Sequence, residues 1–360
     1  MSKILGVIKT LATRRLNLAF DRIPLTCTHV SGKKLRTWFL TELSYLMKTR
    51  RSLSLPTHLQ IETTNRSNLR CPVCHVVTDG KPKGFMSFRD FRKIIDEVGD
   101  FLLLLNLWGW GEPFLNPDIH KMIRYAGDRG IKTITSTNGH FFGDAEAADM
   151  IIDSGLDALI VALDGADSET YEKYRRGGDF DRVVKGVETL VRRKNERSSP
   201  SPFINLRMLV TCENEHQVPK VRDLARNIGV DAMSIKTLNS FDNEKDGRGL
   251  IPRSRKYRRF RYDDTGEPVR GQNSCKKLWN HPTIYWDGTV VPCDYYTGSE
   301  FALGNVFHDG PGFAEIWFGG KYRKLRSRFR SRELAGLRCE DCALNFADLK
   351  KSTLPVFHVR

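Results

Sequence analysis

The sequence has no run of 18 consecutive apolar residues, although 40% of its 360 residues are hydrophobic. Its most apolar segment, residues 101–108, is too short to cross a bilayer and predicts a buried strand. The apolar residues near the start are interrupted by Lys9, Arg14 and Arg15, so we do not expect a secretory signal. These features predict a globular protein without a membrane-spanning helix.

Acidic residues are scarce in three segments of a chain whose net charge is +15. Residues 1–56 contain eleven Lys or Arg and two acids, and residues 248–261 and 321–332 are also strongly basic. Each segment fits a solvated surface, an anionic membrane, a nucleic acid or an acidic peptide. We expect residues 1–20 to contact the inner face of the membrane peripherally. Nucleic-acid binding is not expected, because only Tyr322 and Phe329 offer stacking surfaces within the third segment.

Strand and helix patterns alternate between residues 57 and 240. Strands are predicted at 59–64, 101–108, 132–136, 158–163, 203–210 and 232–236, with helices at 87–98, 118–129, 145–154, 180–194 and 217–228. Such alternation predicts parallel pairing and an α/β fold. Six units fit a partial (β/α)6 TIM-like barrel, and an open doubly wound sheet would have the same periodicity. In both folds, ligands bind at the carboxyl ends of the strands.

Three other segments flank this α/β region. Residues 1–56 are predicted as a basic amphipathic helical extension, because apolar residues recur at helical spacing in 4–11 and 35–47. Residues 241–270 form a connection in which the alternation stops. Residues 271–350 combine a hairpin signal at Asp287-Gly288 with four cysteines, which predicts a small cysteine-rich domain organised by metal.

The chain contains eight cysteines, and they include two Cys-x-x-Cys pairs that lie far apart. We expect a reducing, cytoplasmic compartment, in which such pairs indicate metal or redox chemistry. From its spacing alone, Cys71-Pro-Val-Cys74 fits half of a zinc site or a redox dithiol. The second group, which by spacing alone favours zinc, consists of Cys275, Cys293, Cys339 and Cys342. Cys27 and Cys212 are predicted to be small buried hydrophobes.

Three predicted strands run into polar motifs that contain glycine. The motifs are Gly109-Trp110-Gly111-Glu112-Pro113, Ser136-Thr137-Asn138-Gly139 and Leu163-Asp164-Gly165. Glycine allows the backbone to approach a ligand closely, and Glu, Asn and Asp side chains bind amine and hydroxyl groups. Taken singly, each motif also fits ordinary turn chemistry. Their order after a cysteine loop is the more specific signal.

Together, the cysteine loop and the strand-end motifs resemble the radical S-adenosylmethionine (radical SAM) superfamily over residues 57–238. The family's signature is Cys-x3-Cys-x2-Cys, which binds three irons of a 4Fe–4S cluster. The resemblance implies that Cys71 and Cys74 are the second and third ligands and that Ser67 stands in the place of the first. Position 73 is Val, where the family commonly has an aromatic residue.

The resemblance also implies a site for S-adenosylmethionine (SAM) and a reaction. Trp110, Gly111 and Glu112 match the segment that binds the amino group of SAM, and Ser136 and Asn138 match positions near its ribose and carboxylate. A one-electron donor such as flavodoxin or ferredoxin would drive cleavage of SAM to a 5′-deoxyadenosyl radical. That radical abstracts hydrogen from a peptide or another substrate. No residue is assigned to the catalysis itself.

Ser67 is the main departure from this pattern. A hydroxyl is a harder donor than a thiol and loses its proton far less readily, so we expect weaker cluster binding and poor turnover. The alternatives are a chance or engineered substitution, a labile cluster with a serine ligand, and an inactive relative that binds iron–sulfur or zinc. Because the surrounding motifs are intact, we favour a recent loss in an otherwise complete site.

The second cysteine group has the spacing Cys275-x12-Gly288-x4-Cys293, followed by Cys339-x2-Cys342. This spacing resembles the SPASM extension found behind many radical SAM barrels, in which cysteines bind auxiliary iron–sulfur clusters. The resemblance implies one auxiliary 4Fe–4S cluster whose four irons are all held by thiolates. Such a closed cluster would relay electrons or order the substrate cleft.

Overall fold

The computed structural model describes residues 13–74, 82–239, 248–264, 267–270, 275–296, 301–307, 310–340, 342–346, 352–354 and 357–358. The predicted helical repeat at residues 4–11 lies outside this part of the chain. The same holds for most of the segment, residues 1–20, for which we expect membrane contact.

The described chain contains twelve strands and ten α-helices. The strands are β1 (Leu16–Phe20), β2 (Ile23–Cys27), β3 (His58–Ile61), β4 (Leu104–Asn106), β5 (Lys132–Thr137), β6 (Ala158–Ala162), β7 (Phe203–Val210), β8 (Ala232–Thr237), β9 (Thr283–Ile284), β10 (Thr289–Val291), β11 (Gly304–Asn305) and β12 (Phe357–His358). The helices are α1 (Gly32–Leu46), α2 (Phe88–Val98), α3 (Ile119–Gly127), α4 (Ala145–Asp153), α5 (Ser168–Tyr174), α6 (Phe180–Glu196), α7 (Val218–Ile228), α8 (Lys277–Asn280), α9 (Phe313–Phe318) and α10 (Gly320–Ser331). All six predicted strands and five predicted helices of the α/β region are present.

Strands β3 to β8 pair in parallel, in chain order, within a ten-stranded sheet. On one side, β9 joins β3 in parallel and is followed by β10 and β11. On the other side, β12 pairs antiparallel with β8. The sheet is therefore an open, extended form of the predicted partial barrel. Its β9–β10 turn is the predicted Asp287-Gly288 hairpin, with Gly288 at φ 84°.

Local sequence explains where the barrel helices begin. Ser87, Asp144 and Asp179 each precede a helix, and their side chains accept hydrogen bonds from the backbone N–H three residues later. Such N-caps satisfy donors that have no partner within the helix. At the other end, Gly229 closes α7 in the left-handed conformation, at φ 81°.

The two faces of the parallel sheet bury different elements. Leu105, Leu159 and Val161 belong to the main core, together with apolar residues of the helices. Their neighbours along the same strands point the opposite way, because side chains alternate across a sheet. On that second face, Leu104 and Ile160 contact the β1–β2 hairpin through Ile23 and Leu25. The hairpin therefore covers part of the face that lacks helices, which we call the inner face.

The hairpin corrects the prediction that residues 1–56 are a helical extension. Leu16–Phe20 and Ile23–Cys27 pair antiparallel, with Leu16 opposite Cys27. The turn consists of Asp21 and Arg22, at φ 47° and 68°. Two residues in the left-handed region match the twist of paired strands, but the usual sequence for this turn is Asn-Gly. The Asp21-Arg22 pair is therefore not a recognisable hairpin signal in the sequence.

Helix α1 was predicted at residues 35–47, but its buried face differs from the predicted one. Leu35 is buried as expected, whereas Phe39, Leu46 and Met47 are exposed. The buried positions of α1 are mostly polar. One of them, Thr41, is hydrogen-bonded to Ser54. Short hydroxyl side chains allow α1 to pack closely on the following segment, and hydrogen bonds compensate their burial.

Candidate functional site

The loop after β4 docks on the base of the cysteine loop, which we define as residues 65–74. Trp110 N donates to Glu62 Oε1 at 3.0 Å, and Glu112 N donates to the Arg66 carbonyl at 2.7 Å. A Cβ on Gly111 would lie only 2.7 Å from that carbonyl oxygen and closer still to the one of Thr64. Glycine is therefore required at position 111 for the two loops to meet.

Glu112 holds the ends of β4 and β5 together. Its Oε1 accepts hydrogen bonds from Phe114 N at 3.1 Å and from the Thr137 hydroxyl at 2.8 Å. Its Oε2 accepts from Asn138 N at 2.7 Å. Burial raises the pKa of Glu112 to about 7, even though these three donors favour the charged form. The side chain therefore works as a clamp between two strand ends.

Asn138 connects the end of β5 to the cysteine loop. Its Nδ2 donates to Asn68 Oδ1 at 2.7 Å. Its own Oδ1 faces His140 Nδ1 at 2.9 Å. Because His140 Nε2 accepts from Asp179 N at 2.9 Å, the proton of the neutral ring must be on Nδ1. Burial lowers the pKa of His140, which favours this neutral form.

Cys71 and Cys74 lie in one turn, in which Cys74 N donates to the Cys71 carbonyl at 3.2 Å. Cys71 is buried and Cys74 is half-buried, and both pack with Leu69. The Cys74 thiol lies 3.9 Å from the Trp110 carbonyl. The turn is thus held against the loop after β4.

A cation faces the buried thiol of this turn. Arg175 Nη1 lies 3.8 Å from Cys71 Sγ, and Arg175 Nε bonds to the buried carboxylate of Asp164 at 2.5 Å. Burial opposes the charge of Arg175, but Asp164 and Cys71 outweigh it and hold the pKa of the guanidinium well above its usual value. A fixed positive charge thus lies beside the buried thiol of the turn.

Ser67 lies at the start of the same loop and is half-buried. Its Oγ accepts a hydrogen bond from Leu69 N at 3.1 Å. The donor set of the loop is thus two thiols and one hydroxyl that already serves the local turn. Two of these three groups fit a cluster, and the third is a poor iron ligand.

Trp110 and Ser136 line a cavity of about 390 Å³ on the inner face of the sheet. We call it the inner cavity. Its wall includes side chains from β7 and β8, from the tip of the β1–β2 hairpin and from the C-terminal region. The predicted SAM positions therefore fall into two groups. Glu112 and Asn138 are buried structural links, whereas Trp110 and Ser136 face open space.

The four C-terminal cysteines, which we call the C-terminal cysteine site, are all buried. Cys293 and Cys339 share an apolar cluster, as do Cys275 and Cys342. Burial raises the pKa of Cys339 to about 11 and that of Cys342 to about 12, and the charge of Cys275 adds to both shifts. The four thiols therefore lie in one region, where a metal must displace their protons.

A ligand set of four thiols fits a 4Fe–4S cluster, and it also fits zinc. Within the described ranges, no three His, Cys, Asp or Glu side chains converge on one metal-ion position. Of the two remaining cysteines, Cys27 is buried, as predicted, and its thiol lies 3.9 Å from the Leu103 carbonyl. Cys212 is only half-buried, and its thiol donates to the Gly249 carbonyl at 3.2 Å.

Sequence reasoning missed three residues of the site. Arg175 lies just after α5, His140 lies just past a recognised motif, and Asp21 lies in the unrecognised hairpin. The Arg175-Arg176-Gly177 segment after α5 could have indicated a cation near the carboxyl ends of the strands. His140 directly follows the Asn138-Gly139 motif, so a longer motif would have included it.

The basic segment at residues 321–332 is largely helix α10. Tyr322 is buried, and the ring of Phe329 packs against Trp279 with centroids 5.8 Å apart. Arg326 is also buried and lies 4.2 Å from the centre of the Trp317 ring. Tyr322 thus belongs to the interior, and Phe329 is half-buried against Trp279. No described helix is long and apolar enough to cross a membrane.

Comparison with protein families gives two matches. Residues 61–225 match the Radical SAM superfamily, and residues 275–343 match SPASM, an iron–sulfur cluster-binding domain. The first range contains the cysteine loop and the strand-end motifs. The second contains all four C-terminal cysteines. These two domains imply 4Fe–4S clusters and SAM as cofactors.

Individual relatives extend over most of the chain. The tungsten-containing aldehyde ferredoxin oxidoreductase cofactor-modifying protein of Pyrococcus furiosus is 27% identical over 333 residues, which cover 82% of this chain and 90% of that protein. The mycofactocin maturase MftC of Mycolicibacterium smegmatis is 26% identical over 320 residues, which cover 81% and 76%. Both similarities span the α/β and the cysteine-rich regions.

Among solved structures, Streptococcus suis SuiB bound to the precursor peptide SuiA has a similar fold. Its TM-score is 0.61 at 16% identity, over 91% of this chain and 79% of that one. The fold, the two matched domains and the cysteine sites lead to the same conclusion. This chain belongs to the radical SAM superfamily and carries a SPASM domain.

Proposed function

We propose that this chain is a radical SAM enzyme of the maturase type, whose turnover is limited by Ser67. The observation that carries this proposal is the assembly of the first site. The cysteine loop, residues 65–74, is held by hydrogen bonds to the two loops that match the SAM-binding motifs. A loop with no function would not need two strand-end loops to hold it.

Cys71 and Cys74 would hold the first cluster as its second and third ligands, with Ser67 in the place of the first thiolate. When bound, the cluster supplies the electron that cleaves SAM and so yields the 5′-deoxyadenosyl radical that abstracts hydrogen. Arg175 places its positive charge beside Cys71, with Nη1 3.8 Å from the sulfur. Trp110 and Ser136 line the space in which SAM would lie, and Glu112 keeps their loops in register.

The C-terminal cysteine site would hold one auxiliary 4Fe–4S cluster. Its thiols are Cys275, Cys293, Cys339 and Cys342. With four thiol ligands, no iron of that cluster remains open to substrate, so its role is electron relay or ordering of the cleft. Its surroundings are closed, since Tyr296 and Cys339 are hydrogen-bonded at 3.1 Å in the interior.

The substrate would be a peptide or another hydrogen donor. Similarity to the maturase MftC and to the fold in which SuiB holds its precursor peptide supports a peptide. A one-electron donor such as flavodoxin or ferredoxin would act in the cytoplasm. Peripheral membrane contact through residues 1–20 is part of the proposal, and loss of anionic-vesicle binding on deleting them would support it.

A second candidate is an inactive relative that binds a cluster without turning over. The observation that favours it is the hydrogen bond between Ser67 Oγ and Leu69 N, which occupies the hydroxyl in the local turn. Both candidates share the fold and the C-terminal cluster. They differ in whether SAM is cleaved.

The test is anaerobic reconstitution of the wild-type protein and of Ser67→Cys, followed by SAM and dithionite. We expect Ser67→Cys to form 5′-deoxyadenosine at least ten times faster than the wild type. The control is Ser67→Cys combined with Cys71→Ala, which should form none. If Ser67→Cys forms no 5′-deoxyadenosine, the chain is not a radical SAM enzyme in function.

A further inference from the structure

The inner cavity carries an excess of positive charge. Its ionisable wall residues are Asp21, Arg207, Lys236, Arg259, Lys277, His281 and Asp294. Burial lowers the pKa of His281 to about 4, so this ring adds no charge near neutral pH. Four cations therefore face two carboxylates, which leaves a net charge of +2.

The two carboxylates are already committed to lysine and arginine partners. Asp294 pairs with Lys277. Asp21, at the hairpin tip, accepts from Lys236 Nζ at 2.8 Å and from Arg207 Nη1 at 2.9 Å. Burial opposes the charge of Asp21, but Lys236 and Arg207 outweigh it and hold its pKa below the usual range. One carboxylate thus serves two cations, whereas Arg259 has no carboxylate partner among the described residues.

Both arginines also have a buried donor to spare. Arg207 Nη2 and Arg259 Nε are shielded from solvent and have no hydrogen-bond partner among the described residues. Arg259 is 5% exposed, and its Nη2 donates to the Tyr295 hydroxyl at 2.8 Å. A buried unpaired donor on a charged group costs free energy that a bound acceptor would recover.

Both arginines lie near Lys236 on the cavity wall. Burial lowers the pKa of Lys236, and the positive charges of Arg207 and Arg259 lower it further. Arg207 and Lys236 point to the inner face because their strand neighbours Leu206 and Ile235 belong to the helix-side core. Both arginines thus line the same cavity as Trp110 and Ser136.

We propose that the inner cavity binds a substrate through an anionic group, a carboxylate or a phosphate, held by Arg207 and Arg259. Guanidinium groups match the planar geometry of both anions. Asp21 is a positioning residue, which orients Arg207 and Lys236 and reduces the positive charge. The anion site and the SAM positions share one cavity. The reaction of the bound substrate rests on the proposed function, whereas the binding of the anion does not.

The test is isothermal titration calorimetry on the reconstituted full chain with SAM present, at constant ionic strength. The probes are inorganic phosphate, the peptide acetyl-Ala-Glu-Ala-amide and its neutral analogue acetyl-Ala-Gln-Ala-amide. We expect at least one charged probe to bind ten times more tightly than the neutral peptide. Preference for the glutamyl peptide supports a peptide substrate, and preference for phosphate supports a small phosphorylated one.

The variants decide which groups are responsible. Arg259→Gln should weaken the charged probe at least tenfold, Arg259→Lys should weaken it less, and Asp21→Asn should tighten it because a competing negative charge is lost. Arg261→Gln, two residues away and exposed, should change nothing. A purely structural role for Asp21 would not produce tighter binding.

Three results would overturn the proposal. They are equal affinity for charged and neutral probes, unchanged affinity in Arg259→Gln, and an equal loss of SAM affinity in Arg259→Gln. The last would assign the arginine to the carboxylate of the cofactor. Because none of these titrations depends on SAM cleavage, failure here leaves the proposed radical chemistry standing, and the reverse also holds.

Discussion

The two cysteine sites of this chain place the same type of candidate ligand in different surroundings. In the cysteine loop, Cys71 is buried, Cys74 is half-buried and the third position is Ser67. In the C-terminal cysteine site, all four thiols are buried, and the pKa of each is raised by burial. The first site is open on one side, and the second is enclosed by aromatic side chains.

This difference matches two different tasks. An open site leaves room for a cofactor to reach the cluster, and backbone contacts from neighbouring loops hold its ligands in place. An enclosed site excludes solvent and keeps its ligands together by packing. The two sites should therefore respond differently to loss of a ligand, of a loop contact and of a proton.

The largest expected effect is at the enclosed site. Cys339→Ala combined with Cys342→Ala should remove the auxiliary cluster entirely, a loss of about four irons per chain, because two remaining thiolates cannot hold it. Cys27→Ala is the control, since that thiol is buried elsewhere. Iron and sulfide assays measure the result. Retention of all the iron in the double variant would show that these cysteines are not ligands.

At the open site, Gly111→Ala should cost several kcal/mol of unfolding free energy and reduce SAM binding. A Cβ at this position would overlap the Thr64 carbonyl and push the loop after β4 away from the cysteine loop. Gly143→Ala is the matched control, because nothing lies within 4 Å of its Cβ position. Denaturant unfolding and SAM titration check both. Equal effects of the two substitutions would remove Gly111 from the site.

The clamp at Glu112 predicts a pH effect on stability. Its folded pKa, about 7, lies above the ordinary value of 4.5, so the folded state favours the protonated form. Its contribution is complete below pH 4.5 and is lost as pH rises through 7, a change of about 3 kcal/mol.

Glu112→Gln should abolish this part of the pH dependence, whereas Glu146→Gln, an exposed acid on α4, should leave it unchanged. The measurement is denaturant unfolding between pH 4.5 and 8 for all three proteins. If the unfolding free energies of the wild type and Glu112→Gln change with pH in parallel, the Glu112 carboxylate is ionised over this pH range and the clamp works in its charged form.

The smallest expected effect is on the stability of the metal-free protein. In the metal-free protein, Cys74→Ala should change the free energy of unfolding by less than about 0.5 kcal/mol, since its side chain is half-exposed. Cys293→Ala should cost about 1 kcal/mol, because its buried sulfur leaves a small cavity. Thermal unfolding of both variants compares them. Similar losses would contradict the contrast between an open and an enclosed site.

The barrel could be predicted from sequence because its signals are local. Buried strands such as Phe203–Val210 and Ala158–Ala162 appear as short apolar runs between amphipathic helices. The cysteine loop and its partner motifs were also readable, since their glycines and polar residues follow the strands directly. Periodicity and order along the chain were sufficient for these parts.

The remaining features depend on contacts between distant residues. Asp21 meets Lys236, 215 residues away, and no local pattern indicates that a hairpin tip neutralises a strand residue. Helix α1 buries Thr41 rather than Leu46, because its partner surface offers hydrogen bonds. Arg175 acquires its role only when α5 brings it beside Cys71. Sequence periodicity does not record such pairings.

The most direct test of the contrast between the two sites is the Mössbauer spectrum of the wild-type protein and of Ser67→Cys, both reconstituted with ⁵⁷Fe. The account predicts a full auxiliary 4Fe–4S cluster and a largely empty first site in the wild type, about four irons, and two full clusters in Ser67→Cys, about eight. Two stable clusters in the wild type, or a single cluster in both proteins, would contradict it.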